Sequence, residues 1–240
     1  MQLTKIEIVK EVIILAGGFG TRLRSVVNDK PKCLAVINER PFLSYLIDSL
    51  LKYNYDRFIF SLGYMSDDVI EFINSSYPEL DSVFSIEEAP LLTGGAIRLA
   101  LEFVESDSVL ILNADTYFGL DLSLFFEYHM SESSDMTIAL KPMFKFDRYG
   151  AVIFDNKNVV VAFEEKAFKE FGHINCGYVY LKKEVLSEYP LNVPFSFESD
   201  FIKINLKRLR IIAFIDDSYF IDIGIPEDYF KANLEYHQLS

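Results

Sequence analysis

Residues 12–22 carry the clearest structural signal in the chain, and they read Val12-Ile13-Ile14-Leu15-Ala16-Gly17-Gly18-Phe19-Gly20-Thr21-Arg22. The continuous apolar run that ends at Ala16 is typical of a parallel strand buried on both faces. The glycines predict a tight loop whose backbone N–H groups can cradle phosphate oxygens, because the chain can approach a ligand closely there. Arg22 adds a planar cation suited to a triphosphate. A tight turn without a ligand is the alternative, and nearby Arg24, Lys30 and Lys32 weigh against it.

Two familiar phosphate-binding patterns do not fit this loop. A P-loop requires Gly-Lys-Ser/Thr, whereas Gly20 is followed by Thr21 and Arg22. The dinucleotide fingerprint requires a third glycine three residues after the second, and Leu23 stands at that position. The loop therefore belongs to neither class.

The segments after the loop predict the fold class. Strand-like and helix-like patterns alternate over the first half, with strands at 57–62, 83–86 and 109–112 and helices from 41, over 66–73 and over 96–104. Such alternation favours an α/β fold with a Rossmann-like, mostly parallel sheet and helices on both faces. Ligands of these sheets bind beyond the carboxyl ends of the strands, so we expect 17–22 and 113–115 to lie close together.

The pattern changes after Met136, where the chain becomes rich in strands. Strand-like segments lie at 136–140, 151–154, 159–163 and 177–181, and helices return at about 197–206 and 226–236. No linker rich in Pro, Gly or Ser separates the two parts. We therefore predict one domain over residues 1–240, with a nucleotide-binding half at about 1–135 and a strand-rich half at about 136–240 that covers the substrate.

Composition limits the classes of function. The 240 residues carry a formal net charge of −13, which disfavours nucleic acid as a partner because phosphate-backbone binding needs a basic surface. No apolar run approaches the ~20 residues of a membrane helix, and the first ten residues do not resemble a signal peptide. Cys33 and Cys176 have no metal-ligand spacing and are expected to be reduced thiols. These features favour a cytoplasmic protein with no membrane partner.

Two aspartates are candidates for a metal site. Asp115 follows a buried strand and Asn113, and a carboxylate there can hold Mg²⁺, which prefers one or two carboxylates plus phosphate oxygens. A helix cap is the alternative for Asp115. Asp222 stands between Ile221 and Ile223, where a carboxylate is costly unless it is paired or binds metal. We therefore expect Asp115 and Asp222 to form a pair.

Other charged residues and the histidines carry weaker signals. Glu165 and Lys166 follow an apolar run and by themselves indicate a solvated charge cluster. Glu198 would pass as an ordinary acid in the first turn of a helix. None of the three histidines has a triad-like setting, and we interpret all three as structural, namely His129, His173 and His237.

In sequence order these motifs resemble the nucleotidyl transferase family. The resemblance rests on Leu15–Leu23, Pro31-Lys32, Asn113–Thr116, Glu165-Lys166, Asn175 with Gly177, and Asp222–Gly224, and it spans 11–236. The subgroup most similar is the D-glycero-D-manno-heptose 1-phosphate guanylyltransferases, through Arg22–Val27, Thr93–Ile97 and Tyr219–Gly224. The resemblance implies transfer of a nucleotidyl group from a nucleoside triphosphate, GTP by preference, to a sugar 1-phosphate, for surface polysaccharide synthesis. It leaves open a homo-oligomer, another base, or mannose or glucose 1-phosphate as the acceptor.

The resemblance also assigns residue roles. Arg22 and Lys32 would hold the triphosphate, and Asp115 and Asp222 would ligate Mg²⁺. Lys166 would bind the phosphate of the sugar phosphate. The nucleotide site would include Leu15, Ala16, Gly17, Gly18, Gly20, Thr21, Thr93 and Gly94. The sugar-phosphate site would include Tyr149, Gly150, Glu165, Asn175, Gly177 and Glu198.

The resemblance also implies where the base binds, because the family's base-contacting loop corresponds to Glu87–Pro90. Guanine presents two donors on one edge, and a carboxylate can accept both, so Glu88 is our candidate for reading the base, with Glu87 as the alternative. Backbone groups near Ala16 and Gly17 could instead read the base. Leu92 and Cys33 depart from the family pattern, which usually has glycine and proline at these positions, and Leu92 puts the shape of the base loop in doubt.

Two functions of other classes compete with a nucleotidyltransferase. A non-catalytic nucleotide-sugar-binding regulatory domain is disfavoured, because the candidate cations and both candidate metal carboxylates are present. A glycosyltransferase commonly carries an Asp-x-Asp metal motif, whereas this chain has Asn113-Ala114-Asp115.

Overall fold

The computed structural model describes residues 9–27 and 29–239. Its strands are β1 Glu11–Leu15, β2 Val36–Ile37, β3 Arg40–Pro41, β4 Arg57–Leu62, β5 Asp81–Ile86, β6 Ser108–Asn113, β7 Thr116–Phe118, β8 Met136–Phe146, β9 Val152–Phe154, β10 Val160–Phe163, β11 Lys169–Lys182, β12 Ile211–Ile215 and β13 Phe220–Asp222. Its helices are α1 Phe42–Lys52, α2 Ser66–Ser76, α3 Leu92–Ala100, α4 Leu122–Glu132, α5 Lys203–Asn205 and α6 Pro226–Leu234, and a π-helical turn spans Phe197–Ile202. The N-terminal residues 1–8, for which no role was predicted, lie outside the described residues.

A mixed sheet organises the described part of the chain, with seven strands in the order β12-β8-β11-β6-β1-β4-β5. Strands β5, β4, β1 and β6 are mutually parallel, and β12 is parallel to β8. Strand β11 runs antiparallel to both of its neighbours, β6 and β8. The predicted mostly parallel α/β sheet is confirmed. Strands of both predicted halves share this sheet, and the division at about residue 135 stays a prediction.

The apolar residues of β1 divide between the two faces of the sheet. Val12 and Ile14 pack into a core with residues of α1, α2, α4 and α6, whereas Ile13 packs into a second core with α3 and the π-helical turn. All three side chains are fully buried. Since successive strand residues point to opposite faces, the run at 12–16 reads as apolar throughout because helices cover both sides.

Several elements differ from the sequence expectation, among them β8 and β11, which extend beyond the predicted segments 136–140 and 177–181. Helix α4 was not predicted because its apolar residues surround the helix, with Phe125 buried but Leu124 and Met130 exposed, so no helical period stands out. Strand β12 was not predicted either, since a five-residue apolar run is ambiguous between strand and buried helix. Helix α3 begins at Leu92 rather than at residue 96, so Gly94 lies inside it.

Candidate functional site

A cavity of about 450 Å³ opens beyond the carboxyl ends of β1 and β6. The two strands are held in register there, since Ala114 donates its backbone N–H to the carbonyl oxygen of Leu15 at 3.0 Å. The cavity is lined by Leu15, Ala16, Gly17, Gly18, Phe19, Gly20, Thr21, Arg22, Lys32, Cys33, Ser61, Glu87, Pro90, Leu92, Thr93, Ala96, Asn113, Ala114, Asp115 and Gly224. The predicted proximity of 17–22 and 113–115 is thus present in the structure.

The glycine loop leaves β1 at Ala16 and forms one wall of this cavity. Gly20 has a φ of +59°, a left-handed conformation that favours glycine, and a Cβ there would lie 3.1 Å from the Cβ of Lys32. A Cβ on Gly18 would meet no described heavy atom within 4 Å, so its backbone faces open space. The loop therefore presents its peptide groups to the cavity, and Lys32 packs directly behind it.

The pairing of β7 with β13 brings the two aspartates together. Asp222 is the register partner of Thr116, and Ile223 donates its backbone N–H to the carbonyl oxygen of Asp115 at 2.9 Å. Thr116 donates its hydroxyl to Asp115 Oδ1 at 3.1 Å, and Gly224 donates its N–H to Asp222 Oδ1 at 2.7 Å. Each carboxylate is therefore fixed by a neighbour in its own turn.

Lys32 joins the two carboxylates electrostatically. Its Nζ forms an ion pair with Asp115 Oδ2 and lies 4.0 Å from Asp222 Oδ1. Burial raises the pKa of Asp222, and the charge of Asp115 raises it further, while Lys32 and Arg22 act in the opposite direction. A cation near both carboxylates favours their charged forms, because it offsets the repulsion between them.

These residues fit Mg²⁺. The donor set consists of two carboxylates, of which Asp115 lines the main cavity together with the glycine loop, so phosphate oxygens of a ligand could complete the coordination. Asp222 lines a second cavity of about 240 Å³. Cys33 lines the main cavity, but burial raises its pKa to about 12, which leaves the thiol protonated.

The two glutamates after β5 have different surroundings. Glu87 lines the cavity beside the glycine loop, and a Cβ on Gly17 would lie 3.0 Å from Glu87 Oε1. Its Oε2 accepts the backbone N–H of Leu91 at 2.8 Å, and burial raises the pKa of its carboxyl group. Glu88 is exposed and lies outside the cavity lining. Glu87 is therefore the one of the two that lines the cavity, and which glutamate contacts the base stays a prediction.

The start of α3 also differs from the expectation. Thr93 lines the cavity, and its hydroxyl oxygen accepts the backbone N–H of Phe197 at 3.1 Å. Gly94 is buried against Phe195, whose ring would lie 2.2 Å from an added Cβ, and it donates its N–H to the carbonyl oxygen of Phe195 at 2.9 Å. Gly94 is therefore packed against Phe195 and is not among the residues that line the cavity, and its nucleotide contact stays a prediction.

Tyr149 and Gly150 lie at the second cavity or beside it. Tyr149 lines that cavity together with Asp222, and burial and the charge of Asp222 raise its pKa to about 12. Arg148 forms an ion pair with Asp228 of α6 and donates to the hydroxyl of Tyr149 at 3.1 Å. A Cβ on Gly150 would lie 2.6 Å from the carbonyl oxygen of Glu164. Gly150 is thus a site of close backbone approach.

The remaining candidates of the sugar-phosphate site separate into two groups. Glu165 and Glu198 come together through Lys203, whose Nζ lies 2.7 Å from Glu165 Oε1 and 3.7 Å from Glu198 Oε1. Lys166 is exposed beside them and outside the main cavity. Sequence reasoning did not identify Lys203, because a lysine in a helix carries no signal of its own.

Asn175 and Gly177 approach the main cavity through Asn113. Asn175 Oδ1 accepts the backbone N–H of Gly177 at 2.9 Å. Gly177 has a φ of +74°, and an added Cβ would lie 2.5 Å from Asn113 Nδ2. Strand β11 therefore meets the end of β6 closely at this point. Asn113 lines the cavity, and sequence reasoning had treated it only as a neighbour of Asp115.

The histidines lie away from these groups. His129 is buried, with its ring nitrogens 2.8 Å from the hydroxyl of Thr137 and 3.1 Å from that of Ser108. Burial lowers its pKa to about 4. His173 packs edge-on against Phe154 and Phe171, and burial lowers its pKa as well.

Over the part of the chain that the structure describes, no helix is both long and apolar enough to cross a membrane.

Comparison with known proteins identifies similar chains. The nucleotidyl transferase family model matches residues 11–239. A D-glycero-alpha-D-manno-heptose 1-phosphate guanylyltransferase from Aneurinibacillus thermoaerophilus is 44% identical over 225 residues, which are 94% of this chain and 97% of the relative. The protein of the same name from Campylobacter jejuni is 42% identical over 92% of this chain and 97% of its own length.

Solved structures of similar proteins have the same fold as this chain. The crystal structure of HddC from Yersinia pseudotuberculosis superposes with a TM-score of 0.85 at 38% identity, covering 95% of this chain and all of that chain. A second structure of HddC, described as complexed with GMP-PN, superposes equally well. The glucose-1-phosphate thymidylyltransferase described for Bacillus anthracis, at 19% identity and a TM-score of 0.80, shares the fold.

Proposed function

The chain belongs to the nucleotidyl transferase family, and on this premise we propose that it is a guanylyltransferase acting on D-glycero-α-D-manno-heptose 1-phosphate. It transfers the GMP group of GTP to the sugar phosphate and releases pyrophosphate and GDP-heptose. The observation that supports this activity most directly is the junction of Lys32, Asp115 and Asp222 beside the glycine loop. The names of the relatives at 42–44% identity supply the base and the sugar.

The chemistry requires neutralisation of two polyanions. An oxygen of the sugar 1-phosphate attacks the α-phosphorus of GTP in line, and the bond between the α-phosphorus and the oxygen bridging to the β-phosphate breaks as pyrophosphate leaves. Arg22 and Lys32 bind the triphosphate and offset its charge at the cavity wall. Asp115 and Asp222 would hold Mg²⁺, which supplies further positive charge at the reacting phosphates. No side-chain nucleophile is needed for this displacement.

Glu87 reads the base in this proposal. Its carboxylate lies beside the glycine loop and already accepts one backbone N–H, from Leu91. A carboxylate offers about four acceptor positions, which leaves room for N1–H and the exocyclic amine of guanine. Adenine, cytosine and uracil do not present two adjacent donors on the corresponding edge. The two hydrogen bonds to Glu87 therefore select GTP.

The test is a matrix of triphosphates and acceptors. GTP, ATP, CTP, UTP and dTTP are each combined with heptose, mannose and glucose 1-phosphates, and pyrophosphate release is measured. We expect the highest kcat/KM for GTP with the heptose phosphate. A preference for CTP, UTP or dTTP would refute the base, and a preference for mannose 1-phosphate would refute the sugar. A protein that releases no pyrophosphate from any pair would be a binding domain or another class of transferase.

A further inference from the structure

Leu92 combines two unfavourable features, a left-handed backbone and an exposed apolar side chain. It has a φ of +57°, in the left-handed region that residues with a Cβ avoid at a cost of about 1 kcal/mol or more. Its apolar side chain is 57% exposed, so little of it is packed against the protein. A strained backbone that leaves an apolar side chain in solvent is a feature that points to a ligand contact.

The backbone around Leu92 is fixed on both sides, which explains how the strain persists. Leu91 donates its N–H to Glu87 Oε2 at 2.8 Å and accepts the N–H of Phe195 at 3.1 Å. Gly94 donates its N–H to the carbonyl oxygen of Phe195 at 2.9 Å. These bonds hold the residues on both sides of Leu92, so its left-handed conformation is imposed by the start of α3.

Leu92 lies at the part of the cavity where the base is expected. It lines the cavity together with Glu87 and Pro90. Of the exposed large apolar residues that the structure describes, Phe19 and Leu92 line this cavity. The ring of Phe19 is accounted for by its contact with Tyr64, with centroids 5.2 Å apart. Leu92 thus presents an apolar surface next to the carboxylate that meets the edge of guanine.

We propose that Leu92 is a base-binding residue whose side chain packs on the face of the bound guanine while Glu87 accepts hydrogen bonds from its edge. The inference rests on the proposed function, because it needs a purine in this cavity. Apolar contact on the ring face adds affinity for a base and none for a bare polyphosphate. The strained conformation is retained because it directs this side chain into the cavity.

The test separates binding from stability with two substitutions that suit a positive φ. Leu92→Gly relieves the strain, and Leu92→Asn tolerates the same backbone but replaces the apolar contact with a polar one. We measure the Kd of a non-hydrolysable GTP analogue by calorimetry and the Tm of the unliganded protein. Both variants are expected to bind about fivefold to tenfold more weakly. The Tm of Leu92→Gly should stay unchanged or rise by up to about 4 °C.

Two controls locate the effect at the base. Tripolyphosphate has no base and should bind wild type and both variants with the same Kd. Leu124→Ala alters a leucine of similar exposure on α4 and should leave the Kd unchanged. An unaltered Kd in both Leu92 variants, or a Tm that falls together with affinity, would refute the proposal. A wild-type protein that binds the GTP analogue no more tightly than other triphosphate analogues would refute the proposed function instead.

Discussion

Lys32 occupies the point where the negative charge of the site is concentrated. Its ammonium group contacts Asp115 and lies near Asp222, and its stem packs against Gly20. A cation therefore stands between the two carboxylates in the described structure, and a divalent metal would have to share or take over that place. With the metal bound, the ammonium group of Lys32 would be free to contact the triphosphate. Lys32 would thus pair with the carboxylates before the metal binds and with the triphosphate afterwards.

Asp115→Asn and Asp222→Asn are each expected to reduce kcat at least about 100-fold, because loss of metal-borne charge stabilisation costs several kcal/mol of barrier. Initial rates at saturating Mg²⁺ measure this effect, and circular dichroism shows whether the fold is retained. Near-normal rates in both variants would contradict the assignment of these carboxylates to the metal.

Lys32 and Lys166 are expected to affect different substrates. Lys166→Ala should raise the KM for the sugar phosphate tenfold or more and leave the KM for GTP nearly unchanged, since a charge-assisted hydrogen bond contributes about 1.5–3 kcal/mol. Lys32→Ala should instead lower kcat and weaken the binding of GTP. Steady-state kinetics with each substrate varied in turn measures both. Equal changes for both substrates in each variant would argue against the division.

Glu87 and Glu88 form a matched pair for testing the base. Glu87→Gln is expected to reduce the preference for GTP over other triphosphates by about 10-fold to 100-fold, because an amide has one acceptor group and adds unwanted donors. Glu88→Gln is the control and should retain the preference, since Glu88 is exposed outside the cavity. The opposite result in this pair would restore Glu88 as the reader.

Residue types could be predicted from the sequence more readily than side-chain directions. The proximity of the glycine loop to Asp115 follows from two neighbouring parallel strands that end at one edge of the sheet. Asp222 is predicted instead from its place between two isoleucines, and the pairing of β13 with β7 brings it to Asp115. Glu87 and Glu88 are adjacent, and which of them faces the cavity depends on where β5 ends, at Ile86. No feature of composition distinguishes two neighbouring glutamates, so the structure was needed.

Helix α3 shows how a single residue changes the boundaries of an element. The pair Gly94 and Gly95 suggested a loop, because glycine is unfavourable inside helices. In the structure the helix already begins at Leu92, and Gly94 allows close packing against Phe195. A positive φ at a leucine is rare, so neither propensity nor spacing could have predicted this start.

A pair of glycine substitutions tests the packing role of α3 directly. Gly94→Ala places a Cβ within 2.8 Å of the Phe195 carbonyl oxygen and closer still to its ring, and we expect it to destabilise the fold by about 1–3 kcal/mol. Gly18→Ala is the matched control, because its Cβ would meet no described heavy atom within 4 Å. Gly18→Ala should keep the stability and weaken GTP binding. Denaturant unfolding and calorimetry measure the two effects.

A prediction at the scale of the whole molecule concerns its stability in acid. His129 is buried between Ser108 on β6 and Thr137 on β8, and its pKa is about 4 in the folded protein against 6.5 ordinarily. Between these pH values the unfolded chain binds the additional proton, so stability falls as the pH drops from about 6.5 to about 4. The loss attributable to His129 is on the order of 3 kcal/mol.

Unfolding in denaturant at pH 7 and at pH 4.5 measures this dependence. His129→Gln should be less stable than wild type at pH 7 because its hydrogen bonds are altered, but its stability should decline less over the same interval. If wild type and His129→Gln lose the same stability between the two pH values, the buried histidine is not the cause.

The overall architecture could be predicted from the sequence where it follows from the periodicity of apolar residues along the chain. The run of apolar residues in β1 and the alternation downstream correctly predicted a sheet covered on both faces. The position of β11 between β6 and β8 was not predictable, since it depends on pairings between residues from 23 positions apart, Phe146 and Lys169, to 74 positions apart, Ser108 and Lys182. Those pairings bring Asn175 and Gly177 to the end of β6.

The pairing of β7 with β13 has a consequence for how the protein is made. Asp115 emerges from the ribosome 107 residues before Asp222, by subtraction of their positions. At about 5–20 residues per second, translation leaves a delay of roughly 5–20 s. During that interval the nascent chain can present Lys32 and Asp115 but has no second carboxylate. A partly synthesised chain therefore lacks one of the two carboxylates proposed to hold Mg²⁺, and the complete pair is present only after Asp222 has been added.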